Sequence, residues 1–154
     1  VIDLGTLLTP DRVLLDLKAT SKRQVLRSLA QAAARVTGVD AEVILEALLQ
    51  RERLGTTGLG GGIAIPHARI PELANFTAFF ARLAKPVDFE AVDGEPVDLV
   101  FLLLAPQAAG TDHLKALARI ARLLRDPELC TVLRTSTDRA KIRAILTGRA
   151  EAAR

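Results

Sequence analysis

Apolar positions recur along this chain with two different periods, and the places where the period changes divide it into elements. Val13 to Leu17, behind the turn-prone Thr9-Pro10-Asp11, is a short apolar run that predicts a first strand. Ser21-Lys22-Arg23-Gln24 then has the form of a capping box, and Val25, Leu29, Ala32, Ala33 and Val36 repeat at helical spacing until Gly38 ends the helix. Asp40 caps a second predicted helix with Val43, Ile44, Ala47 and Leu48 inward and Arg51-Glu52-Arg53 in its last turn. The pattern then breaks at a glycine-rich stretch, beyond which Ile63-Ala64-Ile65 reads as a short strand stopped by Pro66.

Phe76 to Leu83 predicts another strand, closing at Lys85-Pro86, and Asp93-Gly94 is a turn signal. Val97 to Leu104 is too continuously apolar for a half-exposed strand, so it is expected at the centre of a sheet with helices on both faces. Thr111 precedes an amphipathic helix carrying Leu114, Leu117, Ala118, Ala121 and Leu124, which is expected to end near Asp126-Pro127. Ser136 to Asp138 opens a last helix with Ile142, Ile145 and Leu146 inward, stopped by Gly148, leaving 149–154 as a frayed tail. With no internal repeat or linker, the reading is a single α/β domain over 1–154.

Composition narrows the function classes. Of 154 residues, 49% are hydrophobic and only 3% aromatic, so the core must be built from Leu, Ile, Val and Ala around five Phe. The longest apolar run, Leu99 to Ala105, falls far short of the roughly 20 residues a membrane helix needs, which argues against membrane insertion. The formal charge of +3 is spread among interspersed acids and bases, the pattern of a solvated surface and no argument for nucleic acid. A single Cys130 and no signal-peptide pattern make the cytoplasm the expected compartment.

The candidate chemistry lies between Gly55 and Arg69, where five of fifteen residues are glycine. The stretch lacks the Gly-Lys-Ser/Thr ending of a P-loop, and no complete Gly-x-Gly-x-x-Gly opens a helix. A metal would have to recruit His67, His113, Asp112 and Cys130, which show no close ligand spacing, so no metal site is expected. A Ser/His/Asp plan has no nucleophile elbow. His67 remains, placed where a strand gives way to a loop. It has two readings: a histidine merely hydrogen-bonded at a strand end, or a nucleophile whose neutral ring nitrogen takes up a phosphoryl group. The second needs an acceptor for the other ring nitrogen and donors for the phosphoryl oxygens, which glycine-loop amides, a guanidinium or a helix N-terminus supply. His113 is either an exposed first-turn histidine or a neutral donor aimed at an anion from a helix N-terminus. Arg51 and Arg53 are, on the simpler view, helix-end charges.

Arg51-Glu52-Arg53-Leu54-Gly55-Thr56-Thr57-Gly58, Gly62-Ile63-Ala64-Ile65-Pro66-His67, Pro96-Val97-Asp98-Leu99-Val100-Phe101 and Asp112-His113-Leu114 carry a resemblance over nearly the whole chain. It resembles the IIA (EIIA) domains of the bacterial phosphoenolpyruvate-dependent phosphotransferase system (PTS), in the fructose/mannitol class and most of all its nitrogen-regulatory, PtsN-like branch. The resemblance implies an α/β sandwich with a central mixed sheet, His67 as the phosphorylated residue, and His113 and Arg51 as its active-site companions. Gly58, Gly60, Gly61 and Gly62 are expected to cradle the phosphoryl group, with no cofactor. The implied partners are an HPr-like phosphocarrier (HPr or its paralogue NPr) and either regulatory targets, such as a sensor kinase or potassium transport, or a IIB domain of a sugar transporter. Partners are expected to dock on an apolar rim around Ile63, Ile65 and Ile70. One departure is Ala68, where the family commonly has Gly after the histidine.

Overall fold

The computed structural model describes residues 3–152. A short helix α1 (Leu4–Leu7) and a 3-10 turn at Pro10–Arg12 lead into β1 (Val13–Leu17), followed by α2 (Lys22–Thr37) and α3 (Ala41–Arg53). Then come β2 (Gly58–Gly60), β3 (Ile63–Ala64), β4 (His67–Ile70), β5 (Thr77–Val87) and β6 (Val97–Pro106). The chain closes with α4 (Asp112–Leu123), α5 (Pro127–Thr135) and α6 (Arg139–Ala152).

The sheet is mixed, as expected, with order β1-β5-β6-β3-β2 and β4 also pairing with β6. β6 is the central strand: antiparallel to β5, and parallel to β3 and β4, which lie end to end along it. Pro66 separates β3 from β4 because it has no N–H to give, yet its carbonyl accepts from Leu103 at 3.0 Å and keeps both segments on the same neighbour. His67 is therefore the first residue of a new strand, and not the point where a strand gives way to a loop.

Residues of β6 alternate between two cores. Val100, Leu102 and Leu104 pack under α2 and α3, whereas Leu99, Phe101 and Leu103 pack under α1, α4, α5 and α6. Both faces are covered, which is why this strand shows no polar alternation. The alternation slips between Val97 and Leu99, where the Asp98 and Leu99 amides both donate to the Gly62 carbonyl at 3.0 Å. The slip is a bulge-like irregularity of the kind that re-aims a side chain, and Asp98 makes an ion pair with Arg134 of α5.

Local signals account for most element ends. The Ser21 hydroxyl accepts from the Gln24 amide at 3.1 Å, while Gln24 reaches one residue further back than a capping box requires and accepts from the Thr20 amide at 2.8 Å. Gly38 ends α2 in the left-handed region, at φ 76.

Five expectations are corrected. Asp126-Pro127, read as a stop, also starts α5: the Asp126 carboxylate accepts from the Glu128 and Leu129 amides, with proline at the first helical position. Gly148 does not stop the last helix, which runs through it to Ala152; residues 153–154 of the expected tail lie outside the described residues. β5 continues through Pro86 to Val87. The buried stripe of α4 is Ala116, Ile120 and Leu123, with Leu117 and Ala121 partly covered, whereas Ala118 and Leu114 face solvent. Val36 and Val43, expected inward, are 42% and 41% exposed at the edges of their helix faces.

Candidate functional site

Three elements meet around His67. α3 delivers Arg51 in its last turn, β4 begins at His67, and α4 carries His113 in its first turn. The His67 Nδ1 lies 2.9 Å from the Ile65 carbonyl, which can only accept, so Nδ1 carries the proton. Arg51 Nε, which can only donate, lies 3.1 Å from His67 Nε2. Both bonds require the same neutral tautomer, with the lone pair on Nε2 facing the guanidinium. A second Arg51 nitrogen, Nη1, donates to the Gly55 carbonyl at 2.8 Å and so ties the helix end to the next turn.

Burial pushes the His67 ring below the ordinary imidazole range, and the charges of Arg51 and His113 add to this. The Ile65 carbonyl and the Glu52 carboxylate oppose it. The outcome favours an uncharged ring with an available lone pair, the form a nucleophilic imidazole requires.

The ring opens into a cleft of about 630 Å³ lined by Ala47, Gln50, Arg51, Leu54, His67, Ala68, Arg69, His113 and Leu114. Arg69 was not singled out from the sequence. Strand alternation puts it on the same face as His67, two residues on, while Ala68 turns the other way and packs against the core beneath α2 and α3. Its guanidinium donates to the carbonyls of Gln107 at 3.3 Å and Gly110 at 2.6 Å, and its Nη2 lies 2.9 Å from His113 Nδ1. The available signal was the spacing of two, hidden once His67 was placed in a loop.

The glycines are not at this site. β2 and β3 form a hairpin closed by Gly61 and Gly62, both at positive φ (65 and 80), as a two-residue turn matched to strand twist demands. Ile63 lies beside Leu99 and His67 beside Leu103, so the turn sits more than four residues of strand away, roughly 13 Å at ~3.3 Å per residue. Gly61 offers its amide to Asp93 at 2.9 Å and its carbonyl to Arg134 at 2.8 Å. A Cβ on Gly62 would lie 2.6 Å from Arg134 Nη2 and 2.8 Å from Asp98 Oδ1. Gly61 and Gly62 thus let α5 dock on the sheet, Gly60 leaves room for Asp93, and Gly58 pairs with Ala64 where a Cβ would lie 2.9 Å from that of Ala91. The rim expected around Ile63, Ile65 and Ile70 is also corrected: these are 8%, 3% and 0% exposed, and the large apolar side chains lining the cleft that are exposed are Leu54 and Leu114, at 85% and 57%.

Behind Arg51, a polar network anchors the turn that receives it. Glu52 accepts from Lys22 at 2.7 Å, from the Thr57 amide at 3.1 Å and from the Thr57 hydroxyl at 2.5 Å. Among the described residues, no cluster of three His, Cys, Asp or Glu side chains is placed to hold a metal ion, and no helix is long and apolar enough to cross a membrane.

Fold and cleft together define an α/β protein in which two guanidiniums and a second imidazole surround an uncharged imidazole nitrogen. The family model described as "Phosphoenolpyruvate-dependent sugar phosphotransferase system, EIIA 2" matches residues 6–148, and the chain belongs to this family. Within it, the chain is 55% identical over 140 residues to a nitrogen regulatory protein of Bradyrhizobium diazoefficiens, covering 91% of this chain and 92% of that one. It is 39% identical over 127 residues to the fructose-specific EIIA component of Haloferax volcanii, covering 80% and 81%. The crystal structure of nitrogen regulatory protein IIA-Ntr from Neisseria meningitidis superposes with a TM-score of 0.89 at 35% identity, covering 93% of this chain and 98% of that one.

Proposed function

We propose that this chain is a phosphohistidine-carrying IIA protein of the nitrogen-regulatory type, accepting a phosphoryl group on His67 from an HPr-like phosphocarrier and binding target proteins according to its phosphorylation state. The observation that carries this reading is the pair of hydrogen bonds on the His67 ring, Nδ1 to Ile65 and Nε2 from Arg51, which together leave Nε2 as the nucleophile. In the transfer, the Nε2 lone pair forms a bond to phosphorus as the donor's P–N bond breaks, and the departing ring nitrogen keeps that electron pair. The Arg51 N–H on Nε2 must then move to a phosphoryl oxygen, where its charge offsets the incoming anion. His113, at the N-terminus of α4, is the second donor.

Transfer in line requires the two histidines to meet across the cleft, so the carrier must cover exposed Leu54 and Leu114. A target docking on the same two leucines would compete with the carrier and would sense the dianion on His67 directly. The fructose-specific relative supports a second reading, in which the phosphoryl group passes on to a separate IIB protein. The deciding experiment incubates the protein with phosphoenolpyruvate, enzyme I and HPr-type carriers, and measures intact mass. Wild type should gain one acid-labile phosphate and His67→Ala none; stoichiometric labelling of His67→Ala would overturn the assignment. Onward transfer to a IIB protein would favour the transport role.

A further inference from the structure

We propose that Arg69 is a positioning residue that sets the tautomer of His113, an inference that rests on reading His67 as the phosphoryl acceptor. His113 Nδ1 has two neighbours that make opposite demands on it. The Gly110 carbonyl, 3.1 Å away, accepts only and would call for a proton on Nδ1. The Arg69 Nη2, 2.9 Å away, donates only, because a guanidinium stays protonated in proteins, and calls for a lone pair there. Arg69 resolves the conflict by taking both partners, since Nη2 has two N–H bonds: one goes to Gly110 at 2.6 Å and the other to His113 Nδ1. Gly110 no longer needs the histidine proton.

The consequence is at the far side of the ring. With Nδ1 accepting, the His113 proton sits on Nε2, so the ring presents an N–H to the cleft it lines with His67 and Arg51. That N–H is the group an anionic phosphoryl oxygen needs. Without Arg69, Nδ1 carries the proton and donates it in a hydrogen bond to the Gly110 carbonyl, and Nε2 turns a lone pair toward the same phosphoryl oxygen. The ring would keep its place and become an unfavourable neighbour to the anion. Arg69 reaches this position because β4 places it two residues after His67, and its Nη1 bond to Gln107 braces it against the connection between β6 and α4.

The test is 15N NMR of histidine-labelled protein at a pH well above the ordinary histidine range. Wild type should show His113 protonated on Nε2 with a pyridine-like Nδ1; Arg69→Met should reverse the two, and Arg69→Lys, still an obligate donor, should keep the wild-type pattern. His67, protonated on Nδ1 in all three, is the internal reference. A wild-type His113 protonated on Nδ1, or an unchanged His113 in Arg69→Met, overturns the proposal, and the wild-type spectrum decides the first point even if the variant folds poorly. In the transfer assay, Arg69→Met should lose the same factor as His113→Ala, roughly 10²–10³. The double variant should lose no more than either alone. Additive losses would mean that Arg69 acts on the phosphoryl group directly and would overturn the positioning role. Failure of His67 to accept phosphate would leave the tautomer result standing and would refute only the functional reading beneath it.

Discussion

Glu52→Ala should be among the most destabilising single changes near the site, although Glu52 touches no residue of the cleft except through the backbone. The Glu52 side chain is 6% exposed and that of its partner Lys22 17%. Removing the carboxylate strands three donors. The Thr57 amide belongs to a residue only 3% exposed, and an unsatisfied buried N–H costs about 1–3 kcal/mol. The Thr57 hydroxyl can rotate, and Lys22, already 3.4 Å from the Phe89 carbonyl, can lean on that acceptor, so their share is smaller. The expected loss is about 3 kcal/mol, at the low end for breaking a buried pair. For a domain of this size that lowers Tm by roughly 6–12 °C. Chemical denaturation followed by circular dichroism reads the change, and a cycle with Lys22→Met isolates the pair. A loss under about 1 kcal/mol, or a cycle showing independence, would refute the network as the anchor of the turn that holds Arg51.

Gly62→Ala should destabilise by about 1–3 kcal/mol because it combines a positive φ with contacts to Arg134 and Asp98. Gly61→Ala, which meets open space, should lose about 1–2 kcal/mol; phosphate acceptance by the folded protein should be normal in both, and a specific loss of acceptance would restore the glycines to the site. Leu54→Asp and Leu114→Asp should leave stability unchanged and weaken carrier binding roughly 10- to 100-fold, the value of burying about one leucine each, as read by titration calorimetry. The lowered His67 value has a definite sign. Between it and the ordinary value near 6.5 the unfolded chain binds the extra proton, so this ring's contribution to stability is complete above that ordinary value. It is lost as pH falls through the native one. Denaturation of wild type and His67→Ala across this range should show the wild-type curve alone falling, and parallel curves would contradict the shift.

Periodicity made the architecture readable wherever burial was one-sided or complete. The run from Val97 to Leu104, apolar at every position but Asp98, pointed to a central strand, and both of its faces are indeed buried. It was silent where two signals share the same residues: Asp126-Pro127 stops one helix and starts the next. The resemblance picked out Arg51, His67 and His113 as candidates, and one cleft is lined by all three. Glycine density misled, because close backbone approach serves a docked helix as readily as a ligand, and only strand register separates the two. Arg69 and Glu52 were invisible for a related reason. Their partners, Gly110, His113, Lys22 and Thr57, include groups distant in sequence, brought near by β6 and α2.

Which nitrogen of which ring takes the phosphate is read directly by 31P and 15N NMR of the protein after incubation with phosphoenolpyruvate, enzyme I and an HPr-type carrier. Because Nδ1 of His67 is held by the Ile65 carbonyl and Nε2 carries the lone pair, the spectrum should show a single phosphohistidine, bonded through His67 Nε2, with Nδ1 still protonated. Phosphate on His67 Nδ1, on His113, or on no histidine would contradict it.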